Sequence, residues 1–124
     1  MLYSGSIMSD IIYWVLVVKI RPGEEESFRE LSSEMIESAR HEPGTLAYEW
    51  TLTHDGGTCH IYERYANSAA IQTHLERIGG VIARFFELCT PVSFHVYGSP
   101  EDEVKAGLED LQPVYLMPLG GFSR

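Results

Sequence analysis

The sequence predicts an α+β fold, a ferredoxin-like β-α-β-β-α-β sandwich in which helices cover one face of an antiparallel sheet. Three observations carry that reading. Residues 11–21, 45–54, 58–65 and 92–97 have the apolar density or two-residue alternation of strands, and stretches of helical spacing lie after the first and the third. Asp55-Gly56-Gly57 joins the middle two strands with a hairpin signal and makes them antiparallel neighbours. The chain of 124 residues, 44% hydrophobic and 22% charged, is the size and composition of one domain with its own core, which excludes a disordered or fibrous chain.

Each element has its own justification. Residues 1–10 are rich in Ser and Gly, show no period and read as a loose leader. The first strand, IIYWVLVVKIR, is β-branched and aromatic on both faces and stops at Pro22-Gly23. A helix follows with Phe28, Leu31, Met35, Ile36 and Ala39 on one side and Glu24, Glu25 and Glu26 at the positive end of its dipole; Pro43-Gly44 ends it. The second strand points Leu46, Tyr48, Trp50 and Leu52 one way. A two-residue turn at Asp55-Gly56 or Gly56-Gly57 then puts Cys59, Ile61, Glu63 and Tyr65 of the third strand on the same face. Asn67 or Ser68 caps a second helix whose stripe is Ile71, His74, Leu75 and Ile78. Gly79-Gly80 breaks it, and residues 81–88 make a further turn or two with Ile82, Phe85 and Phe86 inward. Pro91 is expected to close the helical region, and the fourth strand to face Val92, Phe94 and Val96 to one side.

These elements assign residues 11–98 to the ferredoxin-like domain and leave 99–124 as an appendage of a helix (Val104, Leu108, Leu111) plus a strand or arm. The apolar end, from Val114 through Tyr115, Leu116, Met117 and Leu119 to Phe122, is expected to dock as an extra strand, on this subunit or a partner. Apolar residues on both faces of the first strand predict a second cover for the sheet, and a second copy of the chain, packed sheet to sheet as a homodimer, supplies one.

Charge and motif content narrow the function. The balance of 9 Lys+Arg against 18 Asp+Glu gives a net charge of −9, which disfavours nucleic acid and anionic membrane surfaces as partners. The longest apolar run, residues 11–18, is far short of the ~20 residues that cross a bilayer, and the N-terminus lacks the pattern of a signal peptide. With only two cysteines, Cys59 and Cys89, at no metal-binding spacing, a reduced cytoplasmic setting is expected. His41, His54, His60 and His95 show neither HxH nor HExxH spacing, so no metal site is expected. No GxGxxG, GxxxxGK[ST] or Gly-x-Ser-x-Gly motif is present, which removes dinucleotide, P-loop and serine-hydrolase chemistry by motif.

Two residues break the binary pattern. Glu63 sits on an apolar strand face and His74 on the apolar stripe of a helix, so both point into one layer. Burial raises a carboxyl pKa, whereas an imidazole partner lowers it and holds its own ring in one tautomer, which makes a poised acid–base pair. The alternative is a Glu–His hydrogen bond that only satisfies two core groups. Glu49 and Arg64, on the opposite face of the hairpin, are expected to form a cross-strand ion pair. Trp14, Trp50, Phe85 and Phe86 read as core or pocket lining.

Pro22-Gly23, then Glu42-Pro43-Gly44 with Tyr48, then Tyr62-Glu63-Arg64-Tyr65 followed by Ser68, Ala70 and His74, together resemble the antibiotic biosynthesis monooxygenase family over about residues 12–98. The resemblance implies a dimeric α+β barrel: a homodimer with a pocket between helices and sheet in each subunit. In some members it implies oxidation of small phenols, quinols or anthrones by O₂ without flavin, metal or other cofactor. By position, Glu63 and His74 carry over as the polar, catalytic pocket residues and Tyr48 as a wall, with Trp50 and Phe86 beside it as further substrate-binding residues. Heme-degrading relatives use an Asn in the first strand where this chain has Leu16, which disfavours that reaction. A non-catalytic small-molecule carrier, sensor or stress-related protein on the same fold is the alternative.

Overall fold

The structure, a computed structural model, describes residues 10–124. The expected leader thus lies almost wholly outside the described residues. The chain runs β1 (Ile12–Ile20), α1 (Glu25–Ala39), β2 (Thr45–Leu52), β3 (Thr58–Tyr65), α2 (Ser68–Ile78), α3 (Ile82–Leu88), β4 (Cys89–Tyr97), α4 (Asp102–Leu108), a 3-10 turn (Glu109–Leu111) and β5 (Val114–Leu116). This is the ferredoxin-like α+β order with an added helix and strand. The five strands form one open sheet in the order β2-β3-β1-β4-β5. The sheet is mixed rather than purely antiparallel, because β5 pairs parallel to β4 of the same chain through His95, Val96 and Tyr97.

β1 lies at the centre, antiparallel to both β3 and β4. Its alternate residues Ile12, Trp14, Leu16, Val18 and Ile20 are buried, while Tyr13, Val15 and Val17 on the outer face are only half-buried. The buried set meets Phe28, Leu31 and Met35 of α1, Ile71 of α2, Phe85 and Leu88 of α3, and Val104 and Leu108 of α4 in one core. Burying each such side chain contributes about 1.5–3 kcal/mol, which is why the helices stay on this face.

Four local expectations are corrected. The hairpin loop has four residues, 54–57, between the paired Thr53 and Thr58, with Gly56 in the left-handed region at φ 75°. Its register, Leu52 opposite Cys59 and Tyr48 opposite Glu63, is the one an Asp55-Gly56 turn would set, so the face assignment survives. A bulge between Thr45 and Ala47 turns Leu46 outward, leaving it 50% exposed. β4 begins at Cys89, with Pro91 inside it and Val92 turned out to 63% exposure where the pairing with β1 slips a residue. A strand tolerates a proline at a bulge because the ladder hydrogen bond is already interrupted there. Finally, Arg64 lies over the Tyr13 ring at 5.2 Å instead of pairing with Glu49, whose cross-strand neighbour is Tyr62.

The appendage packs through Val104 and Leu108 and adds β5 to the sheet edge, while Leu119 and Phe122 at its end are exposed in the single chain.

Candidate active site

A cavity of about 520 Å³ lies between the inner sheet face and the helices, within the usual range for small-molecule pockets. All five residues singled out in the sequence line it: Tyr48 and Trp50 from β2, Glu63 from β3, His74 from α2 and Phe86 from α3. Trp14, Ile61, Phe85 and Phe94 add apolar wall, and Gly107, Leu108, Asp110 and Leu111 of the appendage close one side.

His74 is 2% exposed and Glu63 6%. Asn67 sets the phase of α2 by accepting the Ala70 N–H at 2.9 Å, which aims His74 inward two turns later. The ring rests against Tyr48 and Tyr65, with centroids 5.1 and 5.5 Å away. Its Nε2 is 3.5 Å from Glu63 Oε1, so the pair expected from the sequence does meet, at the long end of polar contact. The closer partner of His74 is one that sequence reasoning missed: Nδ1 is 2.9 Å from Glu42 Oε1.

Glu42, 4% exposed, follows α1 and reaches this place because the Glu42-Pro43-Gly44 loop is clamped onto α2. Gly44 presses on that helix so closely that a Cβ on it would sit 2.5 Å from the Ala70 Cβ, and the Gly44 carbonyl accepts the Ala66 N–H at 2.9 Å. Only glycine fits, and this is the physical content of the Gly44…Ala70…His74 spacing. Thr45 Oγ1 donates to Glu42 Oε1 at 2.7 Å. Arg77 Nε lies 3.2 Å from Oε2, off the hydrogen-bond axis, so it neutralises the buried charge without satisfying that oxygen directionally. His74 and the half-exposed Arg77 are three apart on α2, and a buried imidazole with a cation one turn on calls for a carboxylate between them, the one signal that could have found Glu42.

The electrostatics follow from burial. Desolvation raises the Glu63 carboxyl above the usual range; the charge of His74, the Tyr65 hydroxyl, which donates to Glu63, and the Trp14 indole act in the opposite direction. Burial, reinforced by the Glu63 and Glu42 carboxylates, pushes the phenols of Tyr48 and Tyr65 far up, so both stay O–H donors. Glu42, His74 and Glu63 thus run in a line, each imidazole nitrogen facing one carboxylate. With Nδ1–H donating to Glu42, the Nε2 lone pair faces Glu63 and the cavity, where it can take a proton from a bound molecule.

Comparison with known proteins agrees with this architecture. No match to a curated protein reaches significance. Over the whole of this chain and 96% of the other, the structure is similar to MupZ from Pseudomonas fluorescens at 25% identity and a TM-score of 0.85, so the similarity extends through the appendage. It is similar to Rv0793 from Mycobacterium tuberculosis at 28% identity over 74% of this chain and 96% of that one, TM-score 0.64. SnoaB, a cofactor-independent oxygenase from Streptomyces nogalater, shares the fold at 12% identity over 75% of this chain and 96% of that one, TM-score 0.63. The family model described as antibiotic biosynthesis monooxygenase matches residues 11–77, which contain Glu42, Gly44, Tyr48, Glu63, Ala70 and His74. By that match, and by the clamp and the buried line of side chains it encloses, the chain belongs to the antibiotic biosynthesis monooxygenase family.

Proposed function

We propose that the chain is a cofactor-independent monooxygenase that oxidises a small aromatic phenol, quinol or anthrone with O₂. The observation that carries the reading is the His74 imidazole held by Glu42 at the wall of an aromatic cavity, with Glu63 on its other side. His74 Nε2 takes the substrate's acidic proton, and Glu42 stabilises the imidazolium that forms. The electron-rich anion passes one electron to O₂, and recombination of the radical pair makes a carbon-bound hydroperoxide. For an activated methylene, loss of water then leaves a ketone: CH₂ and O₂ become C=O and H₂O, with no external reductant. Glu63, whose carboxyl burial holds in the protonated form to higher pH, supplies the proton to the departing oxygen.

The test is O₂ uptake on admitting air to anaerobic mixtures of metal-free protein with a panel of quinols and anthrones. The proposal expects stoichiometric O₂ consumption with at least one of them, and no uptake with any would overturn it. A second reading, binding without turnover, draws on the partners already present: Glu42 with Thr45 and Glu63 with Tyr65 form a network that stands without substrate.

We also infer a homodimer across the outer sheet face, supported by the half-buried Val15 and Val17 and by Tyr13 stacked on Tyr97 at 4.8 Å. Sedimentation at micromolar concentration should give about twice the 14.0 kDa chain mass, and a stable monomer would overturn the inference. We infer a reduced, cytoplasmic setting, which the two buried free thiols Cys59 and Cys89 support. Among the described residues no helix is long and apolar enough to cross a membrane.

A further inference from the structure

The buried line of Glu63, His74 and Glu42 runs outward, away from the cavity, to the guanidinium of Arg77. This residue lies in the last turn of α2 with its side chain 42% exposed, and its Nη2 reaches across to α1, donating to the Ser38 carbonyl and hydroxyl oxygens at 3.1 and 3.2 Å. α1 has no basic residue in its own last turn, so Arg77 supplies the cation that the negative end of that helix favours. Held there, its Nε stands 3.2 Å from Glu42 Oε2, while His74 and Thr45 take Oε1. The titratable groups around His74 are Glu42 from the loop after α1, Glu63 and Tyr65 from β3, Tyr48 from β2, and Arg77 beyond Glu42 on its own helix. Burial keeps both phenols protonated and favours the protonated Glu63 carboxyl. A guanidinium is a permanent cation, so Arg77 balances the Glu42 carboxylate one to one, and a neutral imidazole leaves the cluster without net charge. Without Arg77 the cluster would hold an unbalanced buried anion, and the group placed to answer it is His74, by taking a second proton. The Nε2 lone pair would then be lost.

We propose that Arg77, which does not line the cavity, is the positioning residue that decides whether the cavity meets a base or an acid: by balancing Glu42 from outside it keeps His74 neutral, with Nδ1–H on Glu42 and the Nε2 lone pair toward the ligand. The role in turnover rests on the oxygenase reading above, whereas the state of the ring rests on the geometry of the ion pair alone. The half-exposed position suits the task. A lysine or arginine there keeps its charge in contact with water, while the carboxylate it balances stays buried beside the imidazole.

The experiment reads the ring directly and needs no substrate. Nitrogen-15 spectra of His74 are compared at neutral pH in the ligand-free parent and in Arg77→Gln, Arg77→Met and Arg77→Lys. The parent and Arg77→Lys should show a proton on Nδ1 and a bare Nε2. The two neutral variants should lose the bare-nitrogen resonance, show protons on both nitrogens, and regain the parent spectrum as pH is raised. With a substrate found by O₂ uptake, Arg77→Gln should lower kcat at neutral pH by about tenfold with KM little changed, and the loss should shrink toward higher pH, which a packing defect would not do. A bare Nε2 preserved in a folded neutral variant, or lost alike in Arg77→Lys, would overturn the proposal, as would a parent ring already protonated on both nitrogens. Melting curves identify a neutral variant that fails to fold, in which case the other decides. A bare Nε2 that depends on the charge at position 77, with no O₂ uptake by any substrate, would contradict the oxygenase reading alone.

Discussion

The two faces of this sheet are built from alternate residues of the same strands and live in different solvents. On the inner face Trp14, Leu16, Val18, Cys59, Ile61 and Phe94 are almost wholly buried, and Glu63 is buried with them. One residue along, Tyr13, Val15, Val17, Tyr62 and Tyr97 of the outer face stay half-buried, and the polar groups beside them, His60, Arg64 and His95, retain contact with solvent. In the single chain a charge on the outer face needs no partner, because water solvates it. On the inner face a buried charge needs a partner, which is why Glu63, His74 and Glu42 form a chain, and that chain is where the proposed chemistry would sit.

If the inner face carries the function, His74→Ala has the largest effect. Turnover of a substrate found by O₂ uptake should fall by roughly 100-fold or more, the usual contribution of a general base, with ligand affinity little changed. Normal turnover would remove His74 from the mechanism, and an unfolded variant would reduce the network to a structural device. Glu42→Gln comes next. The side chain keeps its shape but loses the charge that stabilises the imidazolium, so kcat should fall by about tenfold or more while KM moves little. An unchanged kcat would leave Glu42 with a packing role only.

Stability against pH sharpens the comparison further. Burial raises the folded-state pKa of Glu63, so above about pH 4 the unfolded state releases this proton first. The contribution of Glu63 to stability therefore declines as pH rises, until the folded carboxyl ionises as well. Glu63→Gln mimics the protonated form and should lose this decline, gaining melting temperature relative to the parent as pH rises. A constant difference across the range would show that the carboxyl is already ionised in the fold. The smallest effect belongs to the outer face: Arg64→Ala, which removes the contact with Tyr13, should cost about 0.5–1 kcal/mol and leave turnover unchanged.

How much of this was legible in the sequence depended on how local each cause was. The β3 alternation and the helical stripe through Ile71 and His74 are local, and they placed Glu63 and His74 in one layer. Leu46 and Val92 were misassigned because a single-residue bulge inverts the parity of a strand and leaves no mark in the two-residue pattern. Pro91 has the look of a breaker in the sequence alone, yet it lies within β4 next to the slipped pairing. Glu42 was legible as a motif residue and not as a partner. Its bond to His74 spans 32 positions and depends on the Gly44–Ala70 contact, a tertiary fact that no window of sequence contains. The cavity wall supplied by Gly107, Leu108 and Leu111 was hidden for the same reason, since only folding brings the appendage over α2.

The most direct test of the central claim, that the inner face presents a base to the cavity, is the nitrogen-15 NMR spectrum of His74 at neutral pH, assigned by comparison with His74→Ala. The account predicts a proton on Nδ1, held by Glu42, and a bare Nε2 whose resonance moves when ligand binds. A proton fixed on Nε2, or on both nitrogens, would contradict it, because no lone pair would then face the ligand.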